Sequence, residues 1–369
     1  MRNSENGRMG FERSYEGEKT VEELQEFYTK YLLKAIEKNQ IDEDDFVKQD
    51  EQDINLYTQE EVDADHKKVE LKKQIFQAND KKNNRSPETK EKLRILAKLI
   101  EVLCSDHSIL FRAFGAHKGD IAAQLACDYD DIENFIDIVL EYPAERKIDS
   151  DENTSIEAIG IDITISKEAC EKKFITFRDQ LDRNVSLNRV KYFEESSHLL
   201  PVGQEPHKGE HYLPRFIVNI SSSELYRLIP QWQEWCDNVN SLSGDYEKQK
   251  FLEKTRLIDS PIWYQLSHQM IMQASQLSKF YETNVPEFAA EYRNAYIILR
   301  KYHEKLVSGY IQRNNEWYDK LIEIQTEKDI TVRKARMQYL REQVHRILKG
   351  DNMGSFTRAC SESFPLKKE

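Results

Sequence analysis

Long hydrophobic runs are missing from this chain. The most apolar stretch, Ile95 to Leu103, is interrupted by Lys98 and Glu101, and no segment reaches the length that a membrane-spanning helix needs. The opening stretch, MRNSENGRMGFERSYEGEKT, has no apolar centre, so no secretory leader is expected. Cysteine is also scarce. The five, Cys104, Cys127, Cys170, Cys236 and Cys360, are odd in number and scattered, and no CxxC occurs. That pattern argues against a disulfide framework or structural zinc and for free thiols in a reducing compartment. Positive charge is in deficit, with a formal net charge of -12. Such a surface repels a phosphate backbone, so no nucleic-acid partner is expected from bulk charge. No P-loop, GxGxxG, HExxH or serine nucleophile elbow is present, and neither a cofactor nor a metal is expected.

Aromatic residues, in contrast, are plentiful. The 18 Tyr, 16 Phe and 4 Trp are too many for a disordered chain, although 33% of residues are charged. A real core surrounded by charged helix faces is implied. Leu24, Phe27, Tyr28, Tyr31, Leu32 and Ile36 recur at helical spacing over 21–38, with a Thr20/Glu23 capping box. The acidic stretch 41–53 reads as a loop. A helix is predicted over 60–78, and a linker over 79–88 ends at Pro87, which opens a helix over 88–103 with a Leu93, Leu96, Ile100 and Leu103 stripe. Another helix is predicted over 130–142.

Strand signals follow. The β-branched alternation of IEAIGIDITI (156–165) and RFIVNI (215–220) predicts two strands, and 174–177 a third, short one. Pro201, Gly203, Pro206 and Gly209 predict a surface loop. From 222 onward the pattern is helical. Its stripes are Leu266, Met270, Ala274, Leu277 and Tyr281, then Tyr292, Tyr296, Leu299, Leu306 and Tyr310, then Met337, Leu340, Val344 and Ile347. Five regions are therefore expected: a disordered N-terminus (1–18), a helical segment with linker (19–87), an α+β domain (88–221), a helical bundle extension (222–350) and a polar tail (351–369).

One segment resembles a known family. Asp106-His107-Ser108-Ile109-Leu110-Phe111-Arg112-Ala113 is similar to the nucleophile segment of ovarian tumour (OTU) deubiquitinases. Glu210-His211-Tyr212, ahead of RFIVNI, is similar to that family's histidine segment, and the interval between them suits a compact OTU domain. The resemblance implies an α+β, OTU- or papain-like central domain with large flanking helical regions, mostly helical overall. It also implies a site containing His211 and Asp106, and recognition of ubiquitin or a ubiquitin-like protein. The chain departs from the pattern where Ile109 stands in place of the cysteine and Leu213 in place of a polar residue, which implies a pseudoenzyme. If it is active, the chain is a thiol hydrolase.

Two alternatives remain open. Cys104, His211 and Gln231 supply the residue types of a thiol deamidase, transglutaminase or protease. A helical adaptor with no catalytic site, its Tyr-rich helices meeting another protein, accounts for the same pattern. The expected location is the cytoplasm, and a bacterial effector acting in a host cytosol fits the same features.

Overall fold

The structure is a computed structural model. It describes residues 19–48, 56–80, 86–106, 109, 121–143, 156–183, 187–200, 205–255, 257–282, 285–349 and 353–364. The expectations for 1–18, 81–85, 201–204 and 365–369 lie outside the described residues.

Local chemistry sets the helix starts. Helix α1 (Val21–Phe27) begins at the expected capping box. Glu23 N–H donates to Thr20 Oγ1 at 3.2 Å, and Thr20 N–H donates to Glu23 Oε2 at 2.7 Å. A π-helical turn (Tyr28–Leu32) joins it to α2 (Leu33–Asn39). The stretch expected as a loop contains a short 3₁₀ turn, Glu43–Phe46. Helix α3 (Gln59–Asp80) follows. Helix α4 (Pro87–Ser105) is capped by Ser86 and has Pro at its start, where the missing N–H costs nothing. The last two turns of α4 are buried on every side, Glu101 included.

Strand β1 (Ala122–Leu125) leads to α5 (Asp128–Asn134) and β2 (Ile138–Pro143). The single helix expected over 130–142 is thus corrected. Phe135 takes up the left-handed conformation (φ 55°) and ends α5. Ile138, Val139 and Leu140 then form a strand with neighbours on both edges. A strand buried on both faces shows no alternation, which is why the run imitates a buried helix.

Strand β3 (Ile156–Thr164) is as expected. Helix α6 (Lys167–Arg183) replaces the strand expected at 174–177. Cys170, Phe174 and Phe177 are buried at helical spacing on it. An antiparallel ribbon, β4 (Asn188–Glu194) with β5 (Lys208–Leu213), absorbs Gly209 from the expected loop. Strand β6 (Arg215–Asn219) completes a four-stranded sheet of order β1-β2-β3-β6. Its first three strands are antiparallel, and β6 runs parallel to β3. Gly160 in β3 sits where the ribbon meets this sheet. A Cβ there would come within 2.7 Å of Leu213 Cδ1 and 3.0 Å of Ile136 Cδ1.

The remaining helices are α7 (Ser222–Val239), α8 (Asp245–Thr255), α9 (Pro261–Tyr281), α10 (Pro286–Arg313), α11 (Asn315–Gln325), α12 (Ile330–Leu348) and α13 (Met353–Ser363). Most stripe residues face inward, but Ile347 is exposed and Leu348 is buried instead. The region 351–369, expected as a polar tail, carries α13. Its Phe356 and Cys360, with Phe364 beyond its end, are buried, and the helix packs on α6 and α9.

Two glutamines join the sheet to the helices. An edge strand leaves backbone groups unpaired. Here Ile217 N–H donates to Gln273 Oε1 (3.0 Å), and Gln273 Nε2 donates to Ile217 O (2.6 Å). Asn219 N–H donates to Gln269 Oε1 (2.7 Å), and Gln269 Nε2 donates to Asn219 O (2.8 Å). Four residues apart on α9, the two amides point the same way and stand in for a fifth strand. One continuous hydrophobic cluster accordingly runs from Leu24 through the sheet to Phe364. No helix among the described residues is long and apolar enough to cross a membrane.

Candidate functional site

The residues singled out from sequence lie on different elements. Asp106 ends α4. Its Oδ1 accepts from Ile109 N–H at 3.2 Å, and its Oδ2 accepts from Trp235 Nε1 at 3.4 Å. Ile109 is fully buried. His107, Ser108 and 110–113 lie outside the described residues. Cys104 occupies the last turn of α4, where the helix dipole opposes a thiolate. Burial, reinforced by Glu101, pushes its thiol up. His211 lies on β5, opposite Val190, and therefore in the ribbon and not in the four-stranded sheet. Its ring stacks on Phe193 (centroids 4.8 Å) beside His207, and burial together with His207 holds it below the usual histidine range. Gln231 on α7 donates to Arg227 O of its own helix. Among the described residues, no hydrogen bond joins any two of Cys104, His211 and Gln231.

A different set of side chains does converge. Asp162 on β3 is 1% exposed, Arg215 on β6 is 2% exposed, and the two form an ion pair. The Arg215 guanidinium lies between the rings of Phe135 and Phe177, each 5.2 Å away, and its Nη1 donates to Gln180 Oε1 at 3.3 Å. The left-handed backbone at Phe135 thus brings that ring over Arg215. Lys173 reaches from α6 to pair with Asp162 as well, and its Nζ donates to Ile163 O at 3.0 Å.

Asp137, placed just before β2, accepts from Ile163 N–H at 2.5 Å. Its N–H donates to Ile161 O at 2.9 Å, which fixes it beside the Asp162 position. Lys98 on α4 bonds Glu101 at 2.6 Å and lies 3.7 Å from Asp131 of α5. Four carboxylates and three cations from three helices and two strands, plus the Asp137 turn, thus form one group. Glu101, Asp162 and Arg215 are buried, while Lys98, Asp131, Asp137 and Lys173 are partly exposed.

Crowding fixes the protonation. Burial raises the Glu101 carboxyl to about 7, against the pull of Lys98. Burial and then Asp131 push Asp137 well up, and Asp131 is itself raised by burial, against the pull of Lys98. Both carboxyls are thus pushed toward the protonated form at one end of the group. Lys173 stays charged, because Asp162 and Asp137 outweigh its burial. Among the described residues, no set of three or more His, Cys, Asp or Glu closes around a point that a metal ion could occupy. The carboxylates are held by the ammonium and guanidinium groups instead.

A second polar group lies in the helical region. Tyr264, His268, His303 and His345 stack against one another from α9, α10 and α12. The Tyr264 hydroxyl is 2.5 Å from His345 Nδ1, and the Ser267 hydroxyl is 2.7 Å from His303 Nδ1.

Sequence reasoning missed both groups. Their members come from distant segments with no fixed spacing. The one sequence signal was acidic residues set in apolar stretches, Asp137 in IDIVLEY and Asp162 in IGIDITI. A buried charge there requires a partner. No family model, curated protein or solved structure matches this chain. The fold and site therefore define it only as an α+β, predominantly helical protein with a buried acid–base group at its sheet.

Proposed function

We propose that the Glu101, Asp131, Asp137, Asp162, Lys98 and Lys173 group is the catalytic centre of a hydrolase acting on a phosphate diester with the help of a hard divalent cation. The observation that carries this reading is the crowding of four carboxylates with partly exposed lysines at one sheet. Oxygen-only donors suit magnesium or manganese, which act characteristically on phosphates. Asp137 and Asp162 are the two carboxylates that would hold the cation, with water and substrate oxygens completing its shell. At Asp162 such a cation would replace the Lys173 ammonium as the partner of the carboxylate. The cation would supply Lewis-acid stabilisation of the phosphoryl oxygens. Glu101, held near neutrality, is suited to take the proton of a water that attacks phosphorus as the ester P–O bond breaks. Lys173 offsets negative charge developing on the phosphoryl oxygens. The overall charge of -12 disfavours bulk attraction but does not act against a local site lined by lysines.

The test is hydrolysis of bis(p-nitrophenyl) phosphate and of labelled oligonucleotides with Mg²⁺ or Mn²⁺, together with Mn²⁺ calorimetry. Cation-dependent cleavage that is lost in Asp137→Asn and Lys173→Ala is the expected result. Absence of both cleavage and cation binding in the native chain overturns the proposal.

A second reading is recognition of ubiquitin or a ubiquitin-like protein by an OTU-like, catalytically degenerate chain. Its support is the Asp106–Ala113 segment, with Ile109 at the nucleophile position, and the parallel pairing of 156–164 with 215–219 in one sheet. Calorimetry against mono-ubiquitin and linked chains tests it. No binding at high micromolar concentration removes it and leaves the adaptor alternative.

A further inference from the structure

A cleft of about 840 Å³ opens between α1–α2 and α7, beside the end of α4. That volume suits a ligand the size of a nucleotide or sugar phosphate. Its charge is opposite to that of the protein. Among the described residues, Lys30, Lys34, Lys38 and Lys248 line it, against Asp106 and Asp237, in a chain of net charge -12.

Both acids are already engaged. Asp106 accepts from Ile109 N–H and Trp235 Nε1. Asp237 accepts from the Tyr31 hydroxyl at 3.1 Å and faces Lys30 at 3.9 Å. Lys34, Lys38 and Lys248 have no ion-pair partner among the described residues. An uncompensated cluster of ammonium groups around a concavity attracts an anion.

A second observation is independent of charge. Trp232 lines the same cleft and is 2% exposed, yet its indole N–H has no acceptor among the described residues. Tryptophan is a donor only, and leaving a buried donor unpaired is costly. The neighbouring Trp235 N–H has its acceptor in Asp106, so the deficit is specific to Trp232. An oxygen acceptor entering the cleft would satisfy this donor and neutralise the lysines together.

We propose that this cleft binds a small phosphate-bearing molecule, with Trp232 Nε1 donating to a ligand oxygen and Lys34, Lys38 and Lys248 neutralising the phosphate. The site is separate from the acid–base group at the sheet and does not depend on its function. The shared chemistry is a phosphate monoester, which a nucleotide, a sugar phosphate or free phosphate could bring.

The experiment is calorimetry of the full chain at low salt against inorganic phosphate, ribose 5-phosphate and AMP, followed in parallel by tryptophan fluorescence. Binding of at least one of them, with an indole emission change, is expected. Trp232→Phe keeps an aromatic ring and removes the donor, and Lys34→Ala and Lys38→Ala are exposed changes that leave the core intact. Each should weaken binding by about tenfold, the expected scale for a charge-assisted hydrogen bond. Lys320→Ala should leave it unchanged. The ranking of the three ligands identifies the source: equal affinity points to phosphate alone, and a gain for ribose 5-phosphate or AMP to a sugar or a base. Failure of all three to bind below millimolar concentration, or binding indifferent to Trp232→Phe and Lys38→Ala, overturns the proposal.

Discussion

The two buried polar groups, one at the sheet and one among the helices, are built on opposite principles. At the sheet, carboxylates are compensated by Lys98, Lys173 and Arg215, and the group holds fixed charge in the interior. Between α9, α10 and α12, three imidazoles and a phenol stack with hydroxyl partners, and burial keeps them neutral. His268 is depressed to about 4 and His303 to about 3, burial being the largest cause in each, and His345 is lowered too. A structural interior can discharge its polar groups, as the histidines do. A group that retains charge despite burial must be tied by partners, and such groups concentrate where chemistry is done.

The largest expected effect follows from that contrast. Asp162→Ala leaves Arg215 buried between two rings without its counter-charge. Loss of one partner of a buried pair costs about 3 to 5 kcal/mol, measured as a lower midpoint in urea unfolding. His303→Ala should cost less, because no charge is stranded. Equal losses would erase the distinction between the two groups.

Gln273→Ala comes next. It strips two hydrogen bonds from the β6 edge and leaves a buried N–H and C=O unpaired, at about 1 to 3 kcal/mol for each. The loss should appear as faster amide exchange at Ile217. Unchanged exchange would mean that the helices do not secure the sheet edge.

The pH dependence separates the groups by sign. Glu101 is raised to about 7 from an ordinary 4.5. Its native state keeps a proton that the unfolded chain releases, so its contribution falls as pH rises from about 4.5 through 7. His268 and His303 are depressed from an ordinary 6.5. Their unfolded forms bind protons that the native state refuses, so their contribution is full above 6.5 and is lost as pH falls toward 4 and 3. Urea unfolding across pH 3 to 8 should show Glu101→Gln flattening the upper limb and His303→Asn the lower. The smallest expected effect is that of Tyr264→Phe, which removes only the bond to His345, at about 0.5 to 1.5 kcal/mol.

Much of the helical architecture was legible in the sequence, because its signals are local. Thr20 with Glu23, Pro87 and the α9 stripe carry their meaning within a turn or two. The errors have a common cause. Ile138 to Leu140 is apolar on both faces because its strand is central, and Phe174 to Phe177 is β-like in composition while its packing is set by the i, i+3 and i+4 spacing with Cys170. The 351–369 region looked polar because Phe356, Cys360 and Phe364 are sparse, although they too repeat every turn. The candidate site was not legible. Its carboxylates are brought together by the β2–β3–β6 pairing and by α4 and α5, and only acidic residues set in apolar stretches hinted at it. Asp106, Cys104, His211 and Gln231 drew attention through motif similarity and residue type, neither of which carries information about distance.

The central claim is that the acid–base group at the sheet does chemistry rather than only holding the fold together. Its most direct test is the rate of phosphodiester cleavage by the native chain and by Asp137→Asn, with and without Mn²⁺, on samples shown to be folded by circular dichroism. The account predicts Mn²⁺-dependent cleavage by the native chain and a loss of about 100-fold or more in the variant. Equal rates for the two, or no cleavage and no Mn²⁺ binding by the native chain, would contradict it.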